Sequence, residues 1–230
     1  MKYIFYKYQG AGNDFVMMDN RLNKISLTTE QIARICDRRF GVGADGLILL
    51  ENSESADFKM NYYNSDGAIG SMCGNGGRCI VAFAKTLELF NKVCVFEAFD
   101  GLHKAELVEG ERISLSMSDV SLIEKQQRNW YLDTGSPHLI CFVDSIEQIE
   151  VSQKGAEIRY SSVYKENGVN VNFVQLKNDS LIIRTYERGV EGETQACGTG
   201  AVAAALVHFT LHGGETQRKV KMPGGDLFVR

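Results

Sequence analysis

No run of apolar residues in this 230-residue sequence approaches the ~20 needed to cross a bilayer as a helix. A membrane protein is therefore not expected. The opening stretch, MKYIFYKYQGAGND, lacks both the apolar core and the small-residue cleavage site of a secretory leader, so a cytoplasmic location is the expectation. Strong charge of one sign is also missing. A net charge of −4 gives no global attraction to nucleic acid or to an acidic membrane surface. Cysteines at zinc or redox spacing are absent as well. The six cysteines stand at 36, 73, 79, 94, 141 and 197, with no C-x-x-C pair, and the four histidines supply no matching ligand pair. Neither a metal site nor a thiol redox protein is expected, and no cofactor signature is recognisable. A chain of this length needs no disulfides to hold a core, so six reduced thiols are expected, most of them buried filler.

What is present is an ordinary globular composition, 44% hydrophobic and 23% charged, written twice. Met72-Cys73-Gly74-Asn75-Gly76 is echoed by Ala196-Cys197-Gly198-Thr199-Gly200, and each segment opens a helical pattern. The echo reaches upstream. Gly12-Asn13-Asp14-Phe15-Val16 and Gly135-Ser136-Pro137-His138-Leu139 both lead into apolar runs. Gly12 precedes Cys73 by 61 positions (73 − 12), and Gly135 precedes Cys197 by 62 (197 − 135). Asn64 and Glu187, each at the end of a predicted strand, precede their cysteines by nine and ten positions. Preserved order and spacing predict a duplicated unit, with an N-terminal half at 1–117 carrying Cys73 and a C-terminal half at 118–230 carrying Cys197.

Short strands are predicted at Tyr3–Tyr8, Phe15–Asp19, Leu47–Leu50, Lys59–Tyr63, Val93–Phe96 and Ile113–Met117. The second half adds Leu139–Val143, Val171–Gln175, Leu181–Tyr186, Lys219–Lys221 and Leu227–Val229. Thr28-x-x-Gln31 is a capping box that opens a helix. Residues 201–207, AVAAALV, have no polar face, so that helix should be buried on every side. Among short strands, this predicts an α/β (α+β) fold of two pseudo-symmetric domains, each a curled, mostly antiparallel sheet around a central helix. The cleft between such domains is a natural ligand site.

Cys-Gly-Asn-Gly and Cys-Gly-Thr-Gly each set a thiol at a helix start. A helix N-terminus favours the thiolate, and the unpaired N–H groups of a glycine-rich first turn can hold a carboxylate. One such motif is more often a buried cysteine at a tight turn; two related copies favour chemistry. Inverting a carbon centre needs a proton taken from one face and another delivered to the opposite face, which suits one thiolate and one thiol.

The segments Gly10–Phe15, Gly41–Gly46, Asn64–Gly67, Met72–Cys79, Val169–Val171 and Tyr186–Ala201 together resemble the diaminopimelate epimerase family, in that family's order and over almost the whole chain. The resemblance implies cofactor-independent interconversion of LL- and meso-diaminopimelate by a homodimer, in the synthesis of lysine and cell-wall precursors. It implies catalytic roles for Cys73 and Cys197. Gly74, Asn75, Gly198 and Thr199 would hold the reacting carboxylate, and Asn13, Asn64, Asn170, Glu187 and Arg188 would read the distal amino-acid end. Ser136 stands where many members carry Asn, and Gly46 where some place Gln. Members also continue past the strand after Pro-Gly-Gly, whereas this sequence ends at Arg230, so an uncovered edge or apolar face in the first half is expected. A proline or hydroxyproline racemase of the same fold is the nearest rival, but a cyclic imino acid has no distal end to read. A non-catalytic amino-acid-binding protein is a third reading.

Overall fold

The computed structural model describes residues 2–70, 72–109 and 112–230. Two compact units divide the chain, Met1–Ser116 and Met117–Arg230. The fold is a two-domain α/β arrangement of curled sheets with few helices.

The first unit runs β1 (Tyr6–Gly10), β2 (Asn13–Asp19), α1 (Thr29–Cys36), β3 (Gly46–Glu51), β4 (Phe58–Asn64), α2 (Gly74–Thr86), β5 (Val93–Ala98), β6 (Gly101–Val108) and β7 (Arg112–Leu115). Its seven strands lie side by side in chain order. β2–β3 and β4–β5 pair in parallel and their neighbours antiparallel. The second unit runs β8 (Ile123–Gln126), β9 (Asn129–Asp133), β10 (Pro137–Phe142), α3 (Val151–Arg159), β11 (Asn170–Lys177), β12 (Ser180–Glu187), β13 (Gly192–Thr194), α4 (Gly198–His212), β14 (Arg218–Met222) and β15 (Gly225–Val229). Its sheet repeats the scheme: β10–β11 and β12–β14 are parallel, and the other neighbours are antiparallel. Strands β9, β10, β11, β12, β14 and β15 thus stand where β1 to β6 stand in the first unit, with α3 matching α1 and α4 matching α2. The first sheet adds β7 at one end and the second adds β8 at the other.

Each sheet curls because it must cover a helix. α2 touches β1 and β7, the two ends of its sheet, as well as β2, β3 and β4. Strand alternation then sorts the side chains. Phe15 and Met17 on β2 and Ile48 and Leu50 on β3 pack with Ile80, Val81, Phe83 and Ala84 of α2. Val16, Met18, Leu47 and Leu49 face the other way, onto Ile32 and Cys36 of α1. Strands buried on both faces are why these runs are continuously apolar. Truncating the fully buried Phe83 to Ala should cost about 3–5 kcal/mol. The capping box of α1 forms as expected: Thr28 Oγ1 accepts from Gln31 N at 3.3 Å, and Thr28 N donates to Gln31 Oε1 at 2.9 Å.

Several expectations need correction. The first strand is Tyr6–Gly10, not Tyr3–Tyr8; Tyr3, Ile4 and Phe5 are exposed and have no strand partner to hold them. α4 is not buried on every side. Ala201, Ala203, Ala204, Ala205 and Val207 are buried, whereas Val202 and Leu206 are half-buried and Phe209 is 46% exposed, so one stripe faces outward. β6, β8, β9, β13 and α3 lie outside the predicted elements. α3 hides its buried stripe because only Val151 and Gly155 make it. A Cβ at Gly155 would lie 2.3 Å from Tyr186 Cβ, so the contact a large residue usually signals is made by a glycine.

Candidate active site

Cys73 and Cys197 are the N-cap residues of α2 and α4, both with extended backbone (φ −108° and −124°). At Cys73 the sulfur is the cap: Sγ accepts from Gly76 N at 3.2 Å. Cys73 is half-buried and Cys197 is 7% exposed. Among the described residues all six cysteines are thiols rather than disulfides. Burial pushes the Cys36 thiol up to about 11 and those of Cys79, Cys94 and Cys141 up to about 12.

Around Cys73 the first unit gathers Asn13, Asn75, Asp45 and Arg78. Asn13 Nδ2 donates to Asp45 Oδ2 at 2.6 Å, which turns Oδ1 toward Asn75 Nδ2 at 3.4 Å and Cys73 Sγ at 4.0 Å. Arg38 braces Asp45 and Asp14 together, at 2.7 Å from each. Arg78 Nη2 donates to Asn75 Oδ1 at 2.6 Å. Burial pushes the Arg78 guanidinium down, and the Cys79 and Cys73 sulfurs oppose that shift. Asn64 ends β4 with its backbone in a turn, accepting from Gly67 N and donating to Ala68 O. Gly46 has a steric reason. A Cβ there would meet Tyr62 Cε2 and Tyr63 O at 2.5 Å, so the ring of Tyr62 occupies the space a longer side chain would need.

Around Cys197 the second unit gathers Thr199, Ser136, His138, Asn170 and Asn172. Thr199 Oγ1 lies 3.4 Å from Cys197 Sγ and 2.9 Å from His138 Nε2, and Thr199 O accepts from the buried Thr134 hydroxyl at 3.1 Å. Ser136 Oγ is 3.1 Å from His138 Nε2 and accepts from Asn170 Nδ2 at 3.2 Å. Asn170 is buried; it also donates to Pro137 O at 3.0 Å and accepts from Arg188 N at 2.9 Å. Glu187 is half-buried and accepts from Thr194 Oγ1 at 2.8 Å. Burial pushes its carboxyl up, with the Thr194 hydroxyl opposing. The neighbouring Arg188 is exposed and donates from Nη1 to Asn167 O at 2.9 Å. Burial, with the Arg188 charge adding to it, pushes the His138 ring down to about 3, so it is neutral.

The first unit therefore brings Asn13, Gly74 and Asn75 to Cys73, and the second brings Gly198 and Thr199 to Cys197. Asn170, Glu187 and Arg188 meet at the β11–β12 end. The sequence alone assigns no role to Asp45, Arg78, Thr134, His138, Asn172 or Thr185. Asp45 and Arg78 carry a signal as members of the family segments, and Thr134 and His138 lie in or beside the repeated segment around Ser136, whereas Asn172 and Thr185 carry none. Among the described residues, no group of three or more His, Cys, Asp or Glu is placed to hold a metal ion, and no helix is long and apolar enough to cross a membrane.

Each unit therefore carries a thiol at a glycine-opened helix start, a group able to accept or donate a proton. The family model for diaminopimelate epimerase matches residues 5–123 and 130–230. A diaminopimelate epimerase of Flavobacterium psychrophilum is 54% identical over 97% of this chain and 89% of its own length. One from Chlorobaculum tepidum is 49% identical over 96% and 89%. Among solved structures, a phenazine biosynthesis protein of the PhzF family from Bacillus anthracis superposes with a TM-score of 0.76 at 16% identity, over 99% of this chain and 90% of that one. A hydroxyproline epimerase from Agrobacterium vitis superposes with a TM-score of 0.64 at 15% identity, over 97% and 82%. These two show a shared fold. With the sequence relatives and the family model covering nearly the whole length, the chain belongs to the diaminopimelate epimerase family, whose members are isomerases.

Proposed function

We propose that the protein interconverts LL- and meso-2,6-diaminopimelate by a two-base reaction in which Cys73 and Cys197 exchange the roles of thiolate base and thiol acid. The observation that carries this reading is the repetition of one device: a thiol at the N-cap of a glycine-opened helix, at equivalent positions of two equivalent units. One sulfur removes the α-proton and the other delivers a proton to the opposite face; in the reverse direction the roles are exchanged. As the proton leaves, negative charge spreads onto the α-carboxylate. First-turn N–H groups at Gly74, Asn75, Gly198 and Thr199 supply donors for that charge, so the reading calls for no cofactor. Asn13, Asn64, Asn170, Glu187 and Arg188 serve the distal ammonium and carboxylate, with Arg188 offering a planar fork and Asn170 acting on it through the backbone. The same reading carries a homodimer and a cytoplasmic, biosynthetic role.

The test is turnover of LL-diaminopimelate by reduced protein, with L-proline and trans-4-hydroxy-L-proline as competing candidates. Formation of meso product with no racemisation of either imino acid is expected. Racemisation of proline without action on diaminopimelate would transfer the two-thiol chemistry to the rival substrate class. Binding of diaminopimelate with no α-proton exchange would mark a binding protein.

A further inference from the structure

The two units use the same frame for different interiors at one place. On the first sheet Phe15 pairs with Gly46 and Ile48 with Tyr62; on the second His138 pairs with Asn170 and Asn172 with Thr185. Under each helix start the match is independent of register. A Cβ at Gly76, three residues after Cys73, would meet Ile48 Cδ1 at 3.3 Å. A Cβ at Gly200, three after Cys197, would meet Asn172 Oδ1 at 2.3 Å. Positions that are Phe15, Ile48 and Tyr62 in one unit are therefore His138, Asn172 and Thr185 in the other. Phe15 and Tyr62 pack edge to face, so ring faces and the Ile48 side chain make the frame mainly apolar there. His138 and Asn172 are both fully buried. Polar groups placed where an apolar set suffices cost stability unless every hydrogen bond is met, and here they form a chain that ends on a thiol.

The hydrogen bonds fix the direction of that chain. Asn172 Oδ1 accepts from Thr185 Oγ1 at 2.9 Å, while Nδ2 lies 3.3 Å from both Leu139 O and Asn170 O. Two carbonyl oxygens can be faced only by the amide nitrogen. The same Nδ2 is 3.0 Å from His138 Nδ1, which must then accept. The ring proton lies on Nε2 and points to Thr199 Oγ1, with Ser136 Oγ beside it. A hydroxyl whose oxygen accepts from the ring keeps its own proton for another acceptor, and Cys197 Sγ is at 3.4 Å.

We propose that Asn172 is a positioning residue that holds His138 as its neutral, Nε2-protonated tautomer, so that the Thr199 hydroxyl donates to the Cys197 sulfur and favours the thiolate. With the opposite tautomer, Thr199 would donate to the ring and present a lone pair to sulfur. The surroundings of Cys73 are built differently: its Sγ accepts from Gly76 N and faces Asn13 Oδ1, which also accepts from Asn75 Nδ2. The groups that face His138 are Ser136 on its own strand, Asn172 on β11, Thr185 behind Asn172 on β12, and Thr199 on α4. Arg188, just past β12, is the charged group acting on the ring, and its field opposes protonation. The inference deepens the two-thiol reading and rests on it for its catalytic meaning, but its tautomer and its thiol bias are measurable without turnover.

The experiment uses full-length protein labelled with ¹⁵N-histidine, the His138 signals being those lost in His138→Gln. The wild type should show protonated Nε2 and unprotonated Nδ1 at neutral pH. Asn172→Asp, nearly isosteric, should move the proton to Nδ1. Iodoacetamide labelling, read by peptide mass, should then slow at Cys197 by about tenfold or more, the scale of one hydrogen bond to a charged group. Labelling of Cys73 in the same molecules should be unchanged. Thr199→Val should slow Cys197 equally while leaving the ring tautomer as in the wild type, and Thr199→Ser should restore the rate. A wild-type ring protonated on Nδ1 would overturn the proposal. So would an Asn172→Asp variant, folded by circular dichroism, that slows both thiols alike or neither. Protein with the stated tautomer and thiol bias but no α-proton exchange would instead overturn the epimerase reading and leave this inference standing.

Discussion

Substituting Ala at Gly200 and at Gly76 perturbs equivalent positions with opposite expected outcomes. A methyl at Gly200 would lie 2.3 Å from Asn172 Oδ1, a contact no real Cβ makes. Asn172 cannot step aside, because Oδ1 is bonded to Thr185 and Nδ2 is engaged by His138, Leu139 and Asn170. Displacing it leaves at least one buried polar atom unsatisfied, at about 1–3 kcal/mol. Overpacking adds about 1–3 kcal/mol, and the helix-propensity gain of Ala over Gly returns no more than about 1. A net loss of about 1–6 kcal/mol follows for Gly200→Ala. At Gly76 the methyl would meet Met60 Cε at 3.2 Å, with Cys73 Sγ and Ile48 Cδ1 at 3.3 Å. Two of these are ends of flexible apolar side chains that can give by a few tenths of an ångström, so Gly76→Ala should stay within about 1 kcal/mol of the wild type. Hydrogen exchange of α2 and α4 amides, resolved by peptide mass, reads each unit separately. Equal protection of α4 in Gly200→Ala and wild type would refute the claim that the Asn172 side chain is pinned beneath this helix.

Three further outcomes are expected. Cys73→Ala and Cys197→Ala should each lower epimerisation by about 10²–10⁴-fold with the fold intact; a folded variant keeping more than a tenth of the activity would contradict the two-base reading. Arg188→Lys should impair diaminopimelate turnover although it keeps the charge, because an ammonium lacks the planar fork; unchanged kcat/KM would count against a fork contact to the distal carboxylate. Stability should fall at both ends of the pH scale, as followed by denaturant midpoints across pH. His138 has its pKa depressed to about 3 from 6.5, so its contribution is present above 6.5 and lost as pH falls toward 3. Buried Cys79, Cys94 and Cys141 are raised to about 12 from 9.0, so theirs is present below 9 and lost as pH rises toward 12. His138→Gln should weaken the acid-side dependence, and an unaltered profile would show that the ring is not held neutral.

Features carried by short, local chemistry were legible in the sequence. The cysteine–glycine motif opens a helix in both halves, and its recurrence exposes the two halves without any strand assignment. Thr28 and Gln31 cap a helix across three residues, and the structure has both bonds. What stayed hidden depends on residues far apart in the chain. The bond from Asn172 to His138 spans 34 positions and that from His138 to Thr199 spans 61, so no window contains the relay. A histidine in an apolar run reads as core filler until the sheet register sets it beside Asn172. α3 escapes a sequence reading because a glycine against Tyr186 makes its contact, and α4 reads as wholly buried because its half-exposed stripe is also apolar. Gly46 looked like a departure from the family pattern, and only the ring of Tyr62 lying against it supplies the reason.

The central claim is that two thiols act on opposite faces of one carbon, and α-proton exchange in deuterated water tests it most directly. Reduced wild-type protein acting on LL-diaminopimelate should form meso product carrying deuterium at the inverted carbon from the first turnovers, while the unreacted LL substrate remains protiated. Deuterium entering the recovered LL substrate as fast as the meso product, or meso product retaining the original proton, would show that a single base serves both faces and would contradict the paired roles of Cys73 and Cys197.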